Sequence, residues 1–275
     1  MFQTFFKIAL RNLRKNKIFS FINIAGLAVG LASFIFIIAF IKNELSYENF
    51  HQRADRIYRA IGVFDRPGTG RVHNGVAPGA LGPALAADFA QIAGAVRFRP
   101  LFNAYFQVGE TGFYESSIAM TDSTVFDLFT IPLKIGDPKS ALTNPYSLVL
   151  DTELAKKYFG NENPLGRTIT IQTGGDGVPY TVTGVMETYP QNSHLGFQAL
   201  GSIRSLDPQN NLLSTFSSNS LATYILLHEG AAIAEIEQQI PAFIDKHVPN
   251  KEAIKLEKGY FQPVHGSLLR AGQLL

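Results

Sequence analysis

The chain has no cysteine in 275 residues, which excludes a disulfide framework and any thiolate metal site. Gly68-Thr69-Gly70-Arg71 is the nearest approach to a phosphate-binding loop. It lacks the terminal Gly-Lys-Ser/Thr that a Walker site needs. Neither GxSxG nor HExxH occurs, so a nucleophile elbow and a zincin-type site are excluded as well. The six histidines (His51, His73, His194, His228, His247, His265) show no paired ligand spacing and are read as structural or surface residues. Asp122, Asp127 and Asp137 form no recognisable acid/base pair, and capping of loops accounts for them. Asp55 beside Arg56 and Arg59 reads either as an ion pair or as ordinary solvated charges at a strand start. No catalytic centre, metal or cofactor is expected.

Charge is missing in two further places. No Asp or Glu precedes Ile18, and no charge of either sign lies between Ile18 and Ile41. A helix over that uncharged run reaches roughly 36 Å, enough to cross a hydrocarbon core of about 30 Å. A secretory signal has a shorter apolar region and a small-x-small cleavage site. Phe36-Ile37-Ile38-Ala39-Phe40-Ile41 supplies neither feature, so the run is read as a transmembrane helix over 18–41. Lys7, Arg11, Arg14, Lys15 and Lys17 precede it, whereas Lys42, Glu44 and Glu48 follow. The basic flank predicts a cytoplasmic N-terminus and an extracytoplasmic chain from about residue 42.

Residues 1–17 are read as an amphipathic helix. Phe2, Phe6, Ala9 and Leu13 share one face, while Lys7, Arg11 and Arg14 lie on the other. That basic face, with Lys15, is the expected contact for lipid phosphates or a cytoplasmic protein; a purely topogenic flank is the alternative. Within the apolar run, Gly26 and Gly30 form a GxxxG pair suited to close approach of a second helix. The overall charge is +2, and the five basic residues ahead of Ile18 leave the rest of the chain at −3. That balance argues against a nucleic-acid partner.

About 230 residues follow the apolar run, enough for one large domain or two small ones. Residues 42–54 have no Pro or Gly and could prolong the helix as a stalk. Arg56–Val63 reads as a strand, and 64–79, rich in Gly and Pro, as a loop. Leu81, Leu85, Phe89 and Ile92 mark a helix with Pro83 near its start, followed by a short strand at Ala95–Phe98. Further on, a short helix is expected at Thr124–Phe129 and a strand at Tyr146–Leu150. Asp151 or Thr152 would cap a helix that runs through Tyr158 and stops at Gly160. Thr168–Ile171 and Tyr180–Met186 flank Gly174–Gly177 as a hairpin. A strand at Leu221–Leu227, a helix from Ile233 to His247 interrupted or kinked at Pro241, and a strand near Leu256–Val264 complete the pattern. The expected class is α+β: two β-α-β units, 55–100 and 220–265, with a β-rich subdomain, 101–219, inserted between them. Phe102, Tyr105 and Phe106 are read as core residues, with an apolar binding face as the alternative.

Several phrases resemble one family. Ala9-Leu10-Arg11-Asn12-Leu13-Arg14-Lys15-Asn16-Lys17 and Phe19-Ser20-Phe21-Ile22-Asn23-Ile24-Ala25-Gly26-Leu27 resemble the start of MacB/FtsX-type ABC transporter permeases. Glu44-Leu45-Ser46-Tyr47-Glu48-Asn49-Phe50-His51 and Ala54-Asp55-Arg56-Ile57-Tyr58-Arg59 resemble the link from their first membrane helix to the periplasmic core domain. Phe126-Asp127-Leu128-Phe129, Gly136-Asp137-Pro138, Ala155–Gly160, Asn163-Pro164-Leu165-Gly166, Val182-Thr183-Gly184-Val185 and Pro190–Leu195 are similar to phrases of that core domain. The chain most resembles antimicrobial-peptide or macrolide-export permeases of Bacteroidetes.

The resemblance implies a bacterial inner-membrane protein whose 42–275 region is a MacB-like periplasmic core domain of porter-like units. It also implies mechanotransmission: a separate cytoplasmic ATPase dimer closes on ATP, and paired membrane helices carry the motion outward. Implied partners are that ATPase, a second permease copy, a periplasmic adaptor and an outer-membrane channel. Lys7, Arg11, Arg14 and Lys15 would then meet the ATPase or lipid, and Gly26 and Gly30 a neighbouring helix. Such permeases carry three further membrane helices, whereas no second apolar run precedes Leu275. The chain is therefore read as a fragment, an expressed piece or a truncated gene that cannot transport alone. The alternative function is an FtsX-like regulator that binds a cell-wall hydrolase without transport. A membrane-tethered enzyme is disfavoured by the missing catalytic constellation, and the sequence does not choose among macrolide, peptide and lipoprotein substrates.

Overall fold

A computed structural model describes residues 2–66, 70–190, 192–206, 211–248 and 261–264. It divides into two units, residues 1–46 and 47–275.

The first unit is helical. Helix α1 spans Phe2–Lys15 and α2 spans Lys17–Ser46. Basic residues Arg14 and Lys15 occupy the last turn of α1, where they complement the helix dipole. Apolar side chains surround α2: Phe19, Phe21, Ile22, Leu27, Phe34 and Phe36 are all exposed within the protein. A helix apolar on every side has no aqueous face, and Lys17–Asn43 is long and apolar enough to cross a membrane. The expected stalk over 42–54 forms only as far as Ser46. Helix α2 stops at Ser46, whose hydroxyl donates to the Asn43 carbonyl at 2.7 Å. Turns follow, and Ala54–Arg56 makes only one 3-10 turn.

The second unit opens with β1 (Ile57–Ala60), β2 (Gly62–Arg66), β3 (Gly70–Asn74) and β4 (Ala77–Pro78). The expected single strand over 56–63 is divided at Ile61, and part of the expected 64–79 loop is a strand. Strands β2 and β3 pair as a separate antiparallel ribbon. Helix α3 (Leu81–Asp88) ends before Phe89, earlier than the periodicity predicts; Phe89 and Ile92 remain buried outside the helix. Strand β5 is long, Ile92–Leu101.

Next come β6 (Ala104–Val108), β7 (Thr111–Glu115), β8 (Ile118–Thr121), α4 (Val125–Leu128) and β9 (Leu133–Ile135). Strand β10 (Ser147–Asp151) leads directly into α5 (Thr152–Phe159). The Asp151 carboxylate accepts the Leu154 amide at 2.7 Å as an N-cap, and burial pushes its pKa up from the ordinary range. At the other end Gly160, at φ 61°, caps α5 in a conformation costly for any residue with a Cβ. The hairpin β11 (Thr168–Gln172) and β12 (Val178–Met186) forms as its turn residues predict, with Ile171 opposite Val178. Strands β13 (Ala199–Ser202) and β14 (Asn219–Leu227), helix α6 (Ile233–His247) and β15 (Phe261–Pro263) complete the described elements. Helix α6 runs through Pro241 without interruption. The part of the final expected strand before Phe261 lies outside the described residues.

Thirteen of these strands form one sheet, in the order β15-β1-β14-β5-β8-β13-β10-β12-β11-β6-β7, with β4 and β9 paired to its sides. Strand β1 is antiparallel to β14 and β15, and β14 is antiparallel to β5. Hence β1 runs with β5 and β14 runs with β15. The units β1-α3-β5 and β14-α6-β15 interleave as a split β-α-β pair. Strand β5 joins this pair to the rest. Its first part pairs with β14, and Phe98–Leu101 also pairs with β8. The class is α+β, as the sequence predicts.

Strand β14 is buried on both faces. Ile225 and Leu227 pack with Leu85 of α3 and with Ile236, Ile240 and Phe243 of α6. Tyr224 and Leu226 face a second core with Phe98, Phe129 and Leu200. A third cluster, including Phe106, Leu148, Leu150 and Ile169, fills the middle of the sheet. Alternation of side chains along a strand lets β14 serve two cores at once.

Candidate functional site

The described residues immediately after α2 lead to a buried polar node in the second unit. Glu48 adopts a left-handed backbone, φ 60°, rare for a residue with a long side chain. The turn sends its carboxylate inward, where the residue is only 2 % exposed. Its own amide donates to the Asn192 carbonyl at 3.1 Å.

Both carboxylate oxygens are occupied. Oε1 accepts the His194 amide at 2.6 Å and His194 Nδ1 at 2.7 Å. Oε2 accepts the Ser193 hydroxyl at 3.2 Å and faces His51 Nε2 at 3.0 Å. Burial alone would raise the Glu48 pKa, but the hydrogen bonds from His194 and the contact with His51 outweigh it and hold the carboxyl at about 2. Glu48 is therefore an anion throughout the neutral range.

The partners fix the tautomers. The Thr130 amide donates to His51 Nδ1 at 3.1 Å, so the ring proton sits on Nε2, which lies 3.0 Å from Glu48 Oε2 without the alignment of a hydrogen bond. His194 carries its proton on Nδ1 toward Glu48, leaving Nε2 to accept from the Tyr224 hydroxyl at 2.7 Å. Burial pushes Tyr224 up to about 12, despite the Arg59 guanidinium 5.8 Å above its ring. Burial likewise raises the pKa of Tyr189.

The node thus ties residues 48–53 to three parts of the sheet layer. Glu48 reaches the loop before β13 through Ser193 and His194. That loop reaches β14 through Tyr224. His51 and Gln52 reach the segment after α4: the Gln52 amide donates to Thr130 Oγ1 at 2.9 Å, and Arg53 donates to the Asp127 carbonyl at 2.7 Å. Aromatic rings surround the polar groups, with Phe129 5.0 Å from His51 and 5.4 Å from Tyr224. A pocket of about 250 Å³, lined by Phe50, Thr130, Ile131, Pro132, Tyr189 and Pro190, adjoins the node. This arrangement holds chain in place: Glu48, His194 and Tyr224 bond to one another, while the buried Tyr189 hydroxyl is left without a hydrogen-bond partner among the described residues.

The residues expected to make contacts lie elsewhere. Lys7, Arg11, Arg14 and Lys15 are exposed along α1. Gly26 and Gly30 lie on the surface of α2, and a Cβ at either would meet nothing within 4 Å. His51 and His194, read from the sequence as structural or surface residues, lie 143 positions apart and meet at the two oxygens of one carboxylate. Asp122 forms a two-point pair with Arg97, and Asp137 accepts from the Lys139 amide and the Ser140 hydroxyl. Arg59 donates to the Gly75 carbonyl at 2.9 Å. Phe106 is core, as expected, while Phe102 is exposed.

The chain thus combines an apolar helix long enough for a membrane with a split β-α-β pair and an intervening sheet. Residues 20–243 match the MacB-like periplasmic core domain family, and the chain belongs to that family. Among solved structures, it is similar to a domain of a protein classed as a permease from Porphyromonas gingivalis. Identity there is 18%, with a TM-score of 0.65, covering 78% of this chain and 92% of that one. It is also similar to the periplasmic region of MacB from Actinobacillus actinomycetemcomitans. Identity is 16%, with a TM-score of 0.53, covering 80% of this chain and 92% of that one. No curated protein matches the chain.

Proposed function

We propose that the chain is a permease subunit, or the N-terminal part of one, in an ABC-type export or mechanotransmission complex. A separate cytoplasmic ATPase would supply the energy. The α1 residues Lys7, Arg11, Arg14 and Lys15 would meet that ATPase or anionic lipid on the cytoplasmic side, as the basic flank of α2 favours. Helix α2 would pack against a second permease copy through Gly26 and Gly30. The domain from about residue 42 would lie in the periplasm and move there, in reach of an adaptor and an outer-membrane channel.

One observation carries this reading: the first turn after α2 is not a free linker. Glu48 and His51 lock it to the core through a saturated carboxylate. A slack tether would absorb displacement of the helix, whereas a locked one passes displacement on to the sheet. The test is co-expression with the neighbouring ATPase in a membrane, in the presence of the remaining permease helices. Charge reversal at Lys7, Arg11 and Arg14 is expected to lower ATP hydrolysis by the complex. Replacing Gly26 and Gly30 by Ile is expected to weaken cross-linking between permease copies. Unchanged hydrolysis and cross-linking would overturn the proposed contacts. Recovery of a cell-wall hydrolase, with no ATPase-coupled export, would instead identify a regulator of the FtsX type.

A further inference from the structure

The hydrogen-bond pattern around Glu48 is asymmetric towards acid. Protonating an imidazole adds a proton to whichever ring nitrogen lacks one. In His194 that nitrogen is Nε2, which faces the Tyr224 hydroxyl at 2.7 Å. A hydroxyl rotates, so it can change from donor to acceptor, and the His194 contacts survive. In His51 the free nitrogen is Nδ1, and its partner is the Thr130 backbone amide at 3.1 Å. An amide N–H cannot become an acceptor. A proton on Nδ1 sets two donors against each other in a site where the His51 side chain is 0% exposed.

We propose that His51 is an acid-sensitive latch: its protonation frees the Thr130 amide and releases residues 48–53 from the segment after α4. The inference rests on the proposed function only for its consequence, which is that acid would slacken the link between α2 and the moving domain.

His51 faces Glu48 on one side and Thr130 on the other, with Phe50 4.0 Å and Phe129 5.0 Å from its ring. The titratable and charged groups around Glu48 are His51 on its own segment, Tyr189 and His194 on the loop before β13, and Tyr224 on β14 with Arg59 of β1 over its ring. Arg53 is engaged with the Asp127 carbonyl. Glu48 Oε2 remains an acceptor 3.0 Å from the Nε2 side of the ring. The break therefore falls at Thr130, and with it goes the adjacent bond from the Gln52 amide to Thr130 Oγ1.

The experiment is amide hydrogen exchange of the full chain in lipid nanodiscs between about pH 7.5 and about pH 5, the range over which imidazoles ordinarily titrate, after correction for intrinsic rates. The Thr130 and Gln52 amides should lose protection about tenfold in acid, the factor for one ordinary buried hydrogen bond. His51→Asn keeps an acceptor near Thr130 without a titrating group, and it should hold protection at both ends of the range. His194→Gln should keep the acid response. Unchanged protection in the native chain, or an equal loss in His51→Asn, would overturn the latch. Should His51→Asn fail to fold, nitrogen-15 spectra of the native histidines decide. Titration of His51 in step with opening at Thr130 supports the latch, and opening without that titration overturns it. Neither readout uses ATP hydrolysis or cross-linking, so the latch can fail while the permease reading stands, and the reverse.

Discussion

Helix α2 and strand β14 are both strongly apolar, and the protein treats them in opposite ways. In α2 the large apolar side chains point outward on every side and remain exposed. In β14, seven successive residues from Leu221 to Leu227 are buried; Ile225 and Leu227 face the α3/α6 core, and Ala222, Tyr224 and Leu226 the Phe98 core. The difference lies in what meets the surface. A helix satisfies its own backbone, so it can present apolar side chains to lipid without a partner. A strand leaves its amides and carbonyls to its neighbours, and β14 has β1 and β5 on either side. Apolar content alone therefore does not separate a membrane element from a core element. Length, freedom from charge and the position of the backbone partners do.

The largest effect expected from testing this contrast is at Phe98, where β5 changes partners and four aromatic rings converge. Phe98→Ala should cost about 3–5 kcal/mol in chemical unfolding of the domain. Phe36→Ala in α2 should leave the same transition unmoved. Conversely, Leu31→Arg should cost about 3 kcal/mol in membrane insertion, read by glycosylation mapping, while domain unfolding stays as it was. A shift in domain unfolding with either α2 substitution would break the comparison.

Glu48 sharpens the contrast at the boundary between the two regions. Its folded pKa, about 2, lies below the ordinary value of 4.5. A depressed carboxylate stabilises the fold fully above about pH 4.5 and loses that contribution as pH falls through about 2, a swing of roughly 3 kcal/mol. The stability gap between the native chain and Glu48→Gln should accordingly narrow across that window in acid-unfolding curves. A constant gap would mean that the carboxylate charge is not what the node holds. A smaller effect is expected at the α5 cap, where Asp151→Ala should lower the unfolding midpoint by the equivalent of about 1 kcal/mol. Smallest of all is the exposed Glu162–Arg167 pair, 3.1 Å apart. Replacing either partner should change stability by less than about 0.5 kcal/mol.

Elements governed by near neighbours are legible in the amino-acid sequence alone. The Asp151 cap, the Gly160 stop, the hairpin around Gly174–Gly177 and the apolar run of α2 each depend on residues a few positions apart. Strands β6, β7 and β8 carry no such signal, because Phe102–Thr121 mixes exposed and buried aromatics without a clean alternation. A stalk continuing past Ser46 is a false expectation for a related reason. Nothing local in Tyr47-Glu48-Asn49-Phe50 opposes a helix, and the turn is set by partners near residue 193.

The candidate site shows the same division. Both of its halves are visible as phrases, one around Glu48-Asn49-Phe50-His51 and one around Asn192-Ser193-His194, but their meeting is not. Charge and periodicity are local properties, so residue order is enough to place one long helix with an uncharged run behind a basic flank, and a mixed α+β domain. That β14 separates two cores and that one carboxylate lies between two distant histidines emerges only in the folded chain. Those facts come from strand order and loop placement, which bring residues together across distances that no local pattern spans.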